Sequence, residues 1–137
     1  MKESTDVRDA MLRFYDRVSA NDVGSFEQLV SNSAAILIIG TEAGEFVRER
    51  ERLEFGFRTE GYGLTAGPDP VGYEEGTLGW VVDEPVLHYP DGTDVRTRVT
   101  AVLHKEDGAW KLVHSHFSVG VPDDEVSELQ KRWGTQP

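Results

Sequence analysis

The stretch RVTAVLHKEDGAWKLVHSHFSVGVP, residues 98–122, decides the fold. Two strand-like runs, RVTAVLHKE and AWKLVHSHF, flank Asp107-Gly108, a dipeptide strongly favoured in two-residue hairpin turns. Such a turn fixes register, because a slip of one residue sends every strand side chain to the opposite face. With Asp107-Gly108 at the turn, Leu103 pairs with Leu112, Ala101 with His114 and Val99 with His116. A second turn signal, Asp91-Gly92, extends the pairing to the preceding strand: Trp80 with Leu103, Val82 with Ala101, Glu84 with Val99. One face is then expected to carry Trp80, Val82, Glu84, Val99, Ala101, His114 and His116. The other is expected to carry Val81, Asp83, Arg98, Thr100, Val102, Val113, Ser115 and Phe117. Pro85 cannot donate to a ladder and limits how far this register can be carried.

Upstream of this meander the periodicity is helical. Ser4 or Thr5 can cap a helix over residues 5–20, whose stripe is Val7, Met11, Phe14 and Val18 with Tyr15 beside it. Val23 to Val30 reads as a short second helix, AAILIIGT as a buried strand, and GEFVRERERLEFGFR as a third helix. A last helix follows Pro122, with Asp123, Asp124 and Glu125 at its start and Lys131 and Arg132 at its end, matching the helix dipole. Trp133 is expected to dock it with Val126 and Leu129. Helices followed by an antiparallel meander imply an α+β fold in one domain spanning residues 1–137. The helices can cover one sheet face. The opposite face, carrying Val81, Val102, Val113, Arg98 and Phe117, calls for a partner chain, so a homodimer is expected.

Composition narrows the function classes. The chain of 137 residues has 25 acidic and 14 basic residues, a net charge of −11, which disfavours nucleic acid as a partner. No apolar run approaches the ~18 residues that span a bilayer, so no membrane partner is expected. The polar start MKESTDVRD does not read as a signal peptide, and cytoplasmic residence is expected. The absence of cysteine excludes a thiol nucleophile or a zinc-thiolate site.

The helix–helix–strand–helix start, Arg98-Val-Thr100, the Asp107-Gly108-x-Trp110 hairpin, His114-x-His116-x-Ser118 and the Gly120-Val-Pro122 exit together resemble the SnoaL-like branch of the nuclear transport factor 2 superfamily. GTEAGEF, residues 40–46, is similar to that family's strand-to-helix turn. The resemblance implies a curved sheet wrapped around three N-terminal helices as a cone, a short C-terminal helix, a pocket in the mouth and homodimers through the outer sheet face. It implies no cofactor. It does not fix an activity, because isomerases, cyclases, hydrolases and non-catalytic binding modules share the fold. The ketosteroid isomerase branch uses a first-helix tyrosine, an aspartate base and an aspartic acid. Aligned here, those positions hold Phe14, Ile38 and Ala101, so that chemistry is not expected.

On this reading the pocket is lined by Tyr15, Phe14, Trp80, Val82, Val99 and Ala101, with His114, His116 and Glu84 as candidate catalytic groups. A histidine titrates near neutrality, and a Glu84/His116 couple could do acid–base work on a small hydrophobic, polyketide-like substrate. The plainer alternative is that both histidines are hydrogen-bonded wall residues of a small-molecule-binding protein. A metal site on His114 and His116 would need a third ligand from Glu84 or His88, and no further motif supplies it at a recognisable spacing, so no metal is expected.

Overall fold

The computed structural model describes residues 1–59 and 61–137, with Thr59 described by its backbone alone. Strand β1 (Lys2–Glu3) leads into helix α1 (Thr5–Ser19), and a 3-10 turn (Val23–Ser25) precedes the short α2 (Phe26–Leu29). Then come β2 (Leu37–Ile39), β3 (Phe46–Val47), α3 (Arg50–Thr59), β4 (Gly63–Thr65), β5 (Val71–Glu75) and β6 (Leu78–Asp83). The chain ends with β7 (Val86–His88), β8 (Asp94–Arg96), β9 (Arg98–Glu106), β10 (Ala109–Ser118) and α4 (Val126–Trp133). A seven-stranded sheet runs β1-β5-β6-β9-β10-β2-β3, and a three-stranded sheet runs β4-β7-β8. All pairs are antiparallel except β10 with β2, so the main sheet is mixed. The α+β class and the helix-filled, curved sheet follow the expectation.

Ser4 caps α1 by accepting the N–H of Val7 at 3.2 Å, and its own N–H donates to the Gly72 carbonyl at 2.8 Å. That fastens the helix start to β5. The stripe of α1 then lies on the inner sheet face. Val7, Met11, Phe14 and Tyr15 are buried with Val81, Ala101, Leu103 and Leu112. Gly79 makes this approach possible: a Cβ there would come within 2.7 Å of a Val7 methyl. Helix α3 is held from outside by Arg50, which stacks on the Phe26 ring at 4.9 Å and pairs with Glu27 at 3.1 Å.

Two local features overturn the expected register. The connection after β7 is not a two-residue turn on Asp91-Gly92. Tyr89 pairs with Thr93 (N–H to carbonyl, 2.8 Å), leaving the three-residue loop Pro90, Asp91, Gly92 with Gly92 at φ 89°. Pro suits the first position of a type I turn, and glycine the left-handed position that completes such a loop. The odd loop length shifts the pairing by one: Trp80 faces Val102, Val81 faces Ala101, Val82 faces Thr100 and Asp83 faces Val99. The second feature is a bulge in β10. Register is as expected from Ala109 to Leu112, where Leu103 faces Leu112. It then shifts between Leu112 and His114, so Ala101 faces Ser115, Val102 faces His114 and Thr100 faces His116.

The two shifts exchange the faces assigned to half the sheet. Val81 and Phe117, expected on the dimer face, turn inward, Val81 with no exposure at all. Trp80, Val82, His114 and His116, expected inward, share the outer face with Arg98 and Val102. Helix α4 also departs from expectation. None of its side chains is buried, and Trp133 is 55 % exposed instead of docked.

Candidate functional site

At the open end of the cone lies a cavity of about 520 Å³. Its deep wall is aromatic. Phe14 of α1 meets Phe57 of α3 edge-on at 5.9 Å, and Phe57 meets Phe26 the same way. Phe117 from β10, Ile38 from β2, Leu53 from α3, Leu64 from β4 and Leu87 from β7 complete the apolar lining. Tyr62 and Tyr89, edge-to-face at 5.3 Å, stand on the rim. Phe117 reaches this wall because the bulge turned it inward. The sheet irregularity therefore builds part of the site.

The loop between β2 and β3 forms the polar side of the mouth. Glu45 folds its carboxylate over Gly40 and accepts the Glu42 N–H at 3.1 Å. A Cβ on Gly40 would fall 1.9 Å from that carboxylate, so a larger residue there would have to displace the Glu45 side chain from this position. The Gly40 N–H donates to the Glu45 carbonyl at 3.0 Å and closes the loop. Asn21, Thr41, Glu42 and Arg52 also line the mouth. Among the described residues Arg52 makes no hydrogen bond or ion pair, and it is the one cation in the lining.

Of the residues expected in the pocket, Phe14 lines it. Val99 and Ala101 face inward but are packed in the core at 2 % and 0 % exposure. Tyr15 is in the core as well. Its hydroxyl is buried with no hydrogen-bond partner among the described residues. Burial above all, and then the negative charge of nearby Asp83, hold its phenol well above the usual range. Asp83 itself is buried and accepts the N–H groups of Gly67 (3.1 Å) and Glu84 (2.8 Å), which fixes the corner at Pro85.

The expected acid–base group is not assembled at the cavity. His116 is exposed on the outer face, in a shallow groove with Val82, Arg98, Thr100 and Ser118. His114 bonds the Leu37 carbonyl through Nδ1 at 2.7 Å, pinning β10 to β2. Glu84 lies exposed beyond the end of β6. The cause is the pair of one-residue register shifts, which no turn dipeptide announces. Sequence reasoning missed Arg52, which sat in the charged run of the expected third helix, and the Gly40–Glu45 loop, which sat in a family-like turn.

One constellation outside the cavity has triad-like connectivity. Thr65 Oγ1 lies 2.8 Å from His88 Nε2, and His88 Nδ1 lies 2.6 Å from Asp94 Oδ1. It runs across the exposed face of the small sheet, where His88 and Asp94 are direct cross-strand partners. Its neighbours Leu87 and Tyr89 point to the cavity, so strand alternation turns His88 away from it. It reads as a polar cross-strand ladder. Among the described residues, no three His, Asp or Glu side chains come together as a metal site.

A profile of the SnoaL-like domain matches residues 7–122, from the first core residue of α1 to the exit of the meander. The chain belongs to the SnoaL-like domain family. Solved structures of similar fold include a nuclear transport factor 2-like superfamily protein from Salmonella enterica, with TM-score 0.71 and 17% identity over 85% of this chain and 90% of that one. An NTF2-like protein from Cytophaga hutchinsonii gives 0.67 and 21% over 82% and 93%. The association domain of C. elegans CaMKII gives 0.64 and 18% over 83% and 93%. At these identities the likeness shows the fold of this SnoaL-like chain and nothing of its chemistry. No curated protein matches it. Among the described residues no helix is long and apolar enough to cross a membrane.

Proposed function

We propose that this SnoaL-like protein binds a small amphipathic molecule in the cavity, its apolar body among Phe14, Phe57, Phe117, Leu53 and Leu64 and an acidic group at Arg52. The observation that carries the reading is the aromatic cavity of about 520 Å³ with a guanidinium at its mouth that has no partner among the described residues. The volume falls in the range of small-molecule sites, and apolar walls with a few placed polar groups are their usual make-up. A guanidinium presents a planar fork of donors suited to carboxylate or sulfonate.

The alternative of a cofactor-independent cyclase, isomerase or hydrolase run by His116, His114 and Glu84 draws no support from their placement. Acid–base chemistry in the cavity would fall instead to Glu42, Glu45, Tyr62 and Tyr89, the other titratable groups of its lining among the described residues. The same reading includes cytoplasmic residence, supported by a chain free of cysteine. It also includes a homodimer through the outer sheet face, now formed by Val82, Val102, Trp80, Arg98 and His116. Val82 there is 38 % exposed and Leu78 55 %.

Two fluorescent probes of similar body test the cavity: anilinonaphthalene sulfonate, which is anionic, and N-phenylnaphthylamine, which is uncharged. Both should bind, and Phe117→Ala should weaken both. Arg52→Glu should raise the Kd of the sulfonate about tenfold, equivalent to about 1.4 kcal/mol, while leaving the neutral probe unchanged. Failure of both probes to bind at about 1 mM would sink the cavity reading. Equal response of the two probes to Arg52→Glu would sink the acidic-ligand part alone.

A further inference from the structure

The outer groove and α4 carry complementary features that neither the cavity nor the family match explains. The match ends at Pro122, so α4 (Val126–Trp133) lies beyond it. The helix is well formed, with Gly134 at φ 68° closing its end by donating to the Gln130 and Lys131 carbonyls. Val126, Leu129 and Trp133 fall at i, i+3 and i+7 and make one apolar stripe. Yet none of its side chains is buried, and Val126 and Trp133 are 38 % and 55 % exposed. No hydrogen bond or ion pair joins residues 119–137 to the rest of the described chain. Isolated helices shorter than ~12 residues are marginal in water, so a helix of this length needs a surface for its stripe.

A fitting surface exists on the outer sheet face. The groove there is lined by Val82, Arg98, Thr100, His116 and Ser118, over the inward-facing Val99. Its apolar floor is framed by Arg98 and His116, and neither is paired among the described residues. The segment leading into α4 carries Asp123, Asp124 and Glu125, equally exposed and unpaired. In a protein of net charge −11, the Arg98 guanidinium in this groove is complementary in charge to the acidic start of the arm.

We propose that α4 is a dimerisation arm that lays Val126, Leu129 and Trp133 on the outer sheet face of a second copy, with Asp123, Asp124 and Glu125 meeting the partner's Arg98 and the partner's His116. A second copy is the occupant because each copy supplies one arm and one groove. A two-fold axis then satisfies both contacts and closes the assembly. Residues 119–122 have no regular structure and span up to about 13 Å when extended, and the Pro122 carbonyl then accepts the Glu125 and Val126 N–H groups in the turn that opens α4. The inference rests on the outer-face dimer proposed above and adds its partner contact.

The chain contains no cysteine, so introduced thiols are unambiguous. Full-length Leu129→Cys and Thr100→Cys chains, carrying tags of different size, are co-expressed, oxidised and separated without reductant. Sedimentation velocity of the untagged parent gives its oligomeric state. The expected result is a dimer by sedimentation and a mixed disulfide joining the Leu129→Cys chain to the Thr100→Cys chain. Replacing Asp123, Asp124 and Glu125 together by lysine should weaken the dimer tenfold or more, whether or not the thiol geometry is favourable. A dimer with no mixed disulfide and no response to the charge reversal overturns the arm and leaves the outer-face dimer standing. A monomeric parent overturns both. A chain carrying both substitutions that closes on itself as a monomer overturns the exchange, because α4 then covers its own groove.

Discussion

Tyr15 shows how one residue was legible by type and not by role. Its place beside the α1 stripe was readable from spacing, and burial of its ring follows from that. Its relation to Asp83 was not, because the expected register put Asp83 on the outer face. With its phenol held protonated in the fold, the unfolded chain loses the Tyr15 proton first, from its ordinary value of 10.0 upward. The unfolded state then binds fewer protons than the native one, so stability falls as pH rises above about 10. The slope from this group is at most about 1.4 kcal/mol per pH unit. Tyr15→Phe should therefore show a shallower loss of urea midpoint between pH 9 and pH 11 than the parent, with little change at pH 7. Parallel profiles would mean that Tyr15 titrates normally in the fold. Arg52 is the converse case. It was visible only as one charge among several in RERER, and only the packing of α3 against the β2–β3 loop gives it a cavity.

At the scale of elements, two glycines separate steric from conformational demands. Gly79→Ala would drive a Cβ to 2.7 Å and 2.9 Å from the two methyls of Val7. Val7 is β-branched and held by its helix rotamer, so helix and sheet must part, at a cost of about 1–3 kcal/mol. Gly92→Ala meets nothing within 4 Å but must hold φ 89°, costing about 1 kcal/mol from backbone alone. Urea unfolding at neutral pH should order the two in that way. A Gly79→Ala protein as stable as the parent would refute the close packing of α1 on β6. The elements themselves were largely readable: α1 and the Asp107-Gly108 hairpin came out at nearly their expected bounds. Their mutual register was not. A three-residue loop looks like a two-residue one when Asp-Gly is its last pair, and a bulge leaves no signature in an apolar run.

For the whole molecule, the outer face predicts assembly. Val82 is exposed and turned away from the core, so Val82→Arg should cost little stability, yet it places a charge in the middle of the proposed interface. Sedimentation equilibrium should show a dimer for the parent and a dimer Kd raised tenfold or more for the variant, with thermal unfolding nearly unchanged. A variant that stays fully dimeric would move the interface elsewhere. The sequence by itself determined the class of this molecule: an acidic, cysteine-free α+β chain, its helices first and its meander after, with the motifs of a SnoaL-like domain. Those follow from local periodicity, turn chemistry and composition, which a linear reading contains. Only the tertiary structure decided which face of β6 and of the second half of β10 looks inward, and so placed His114 and His116 outside and Phe117 in the cavity. The physical reason is the two-residue period of a strand. One inserted residue inverts everything after it, and that insertion is selected by packing across the sheet, not by the residues at the point where it occurs.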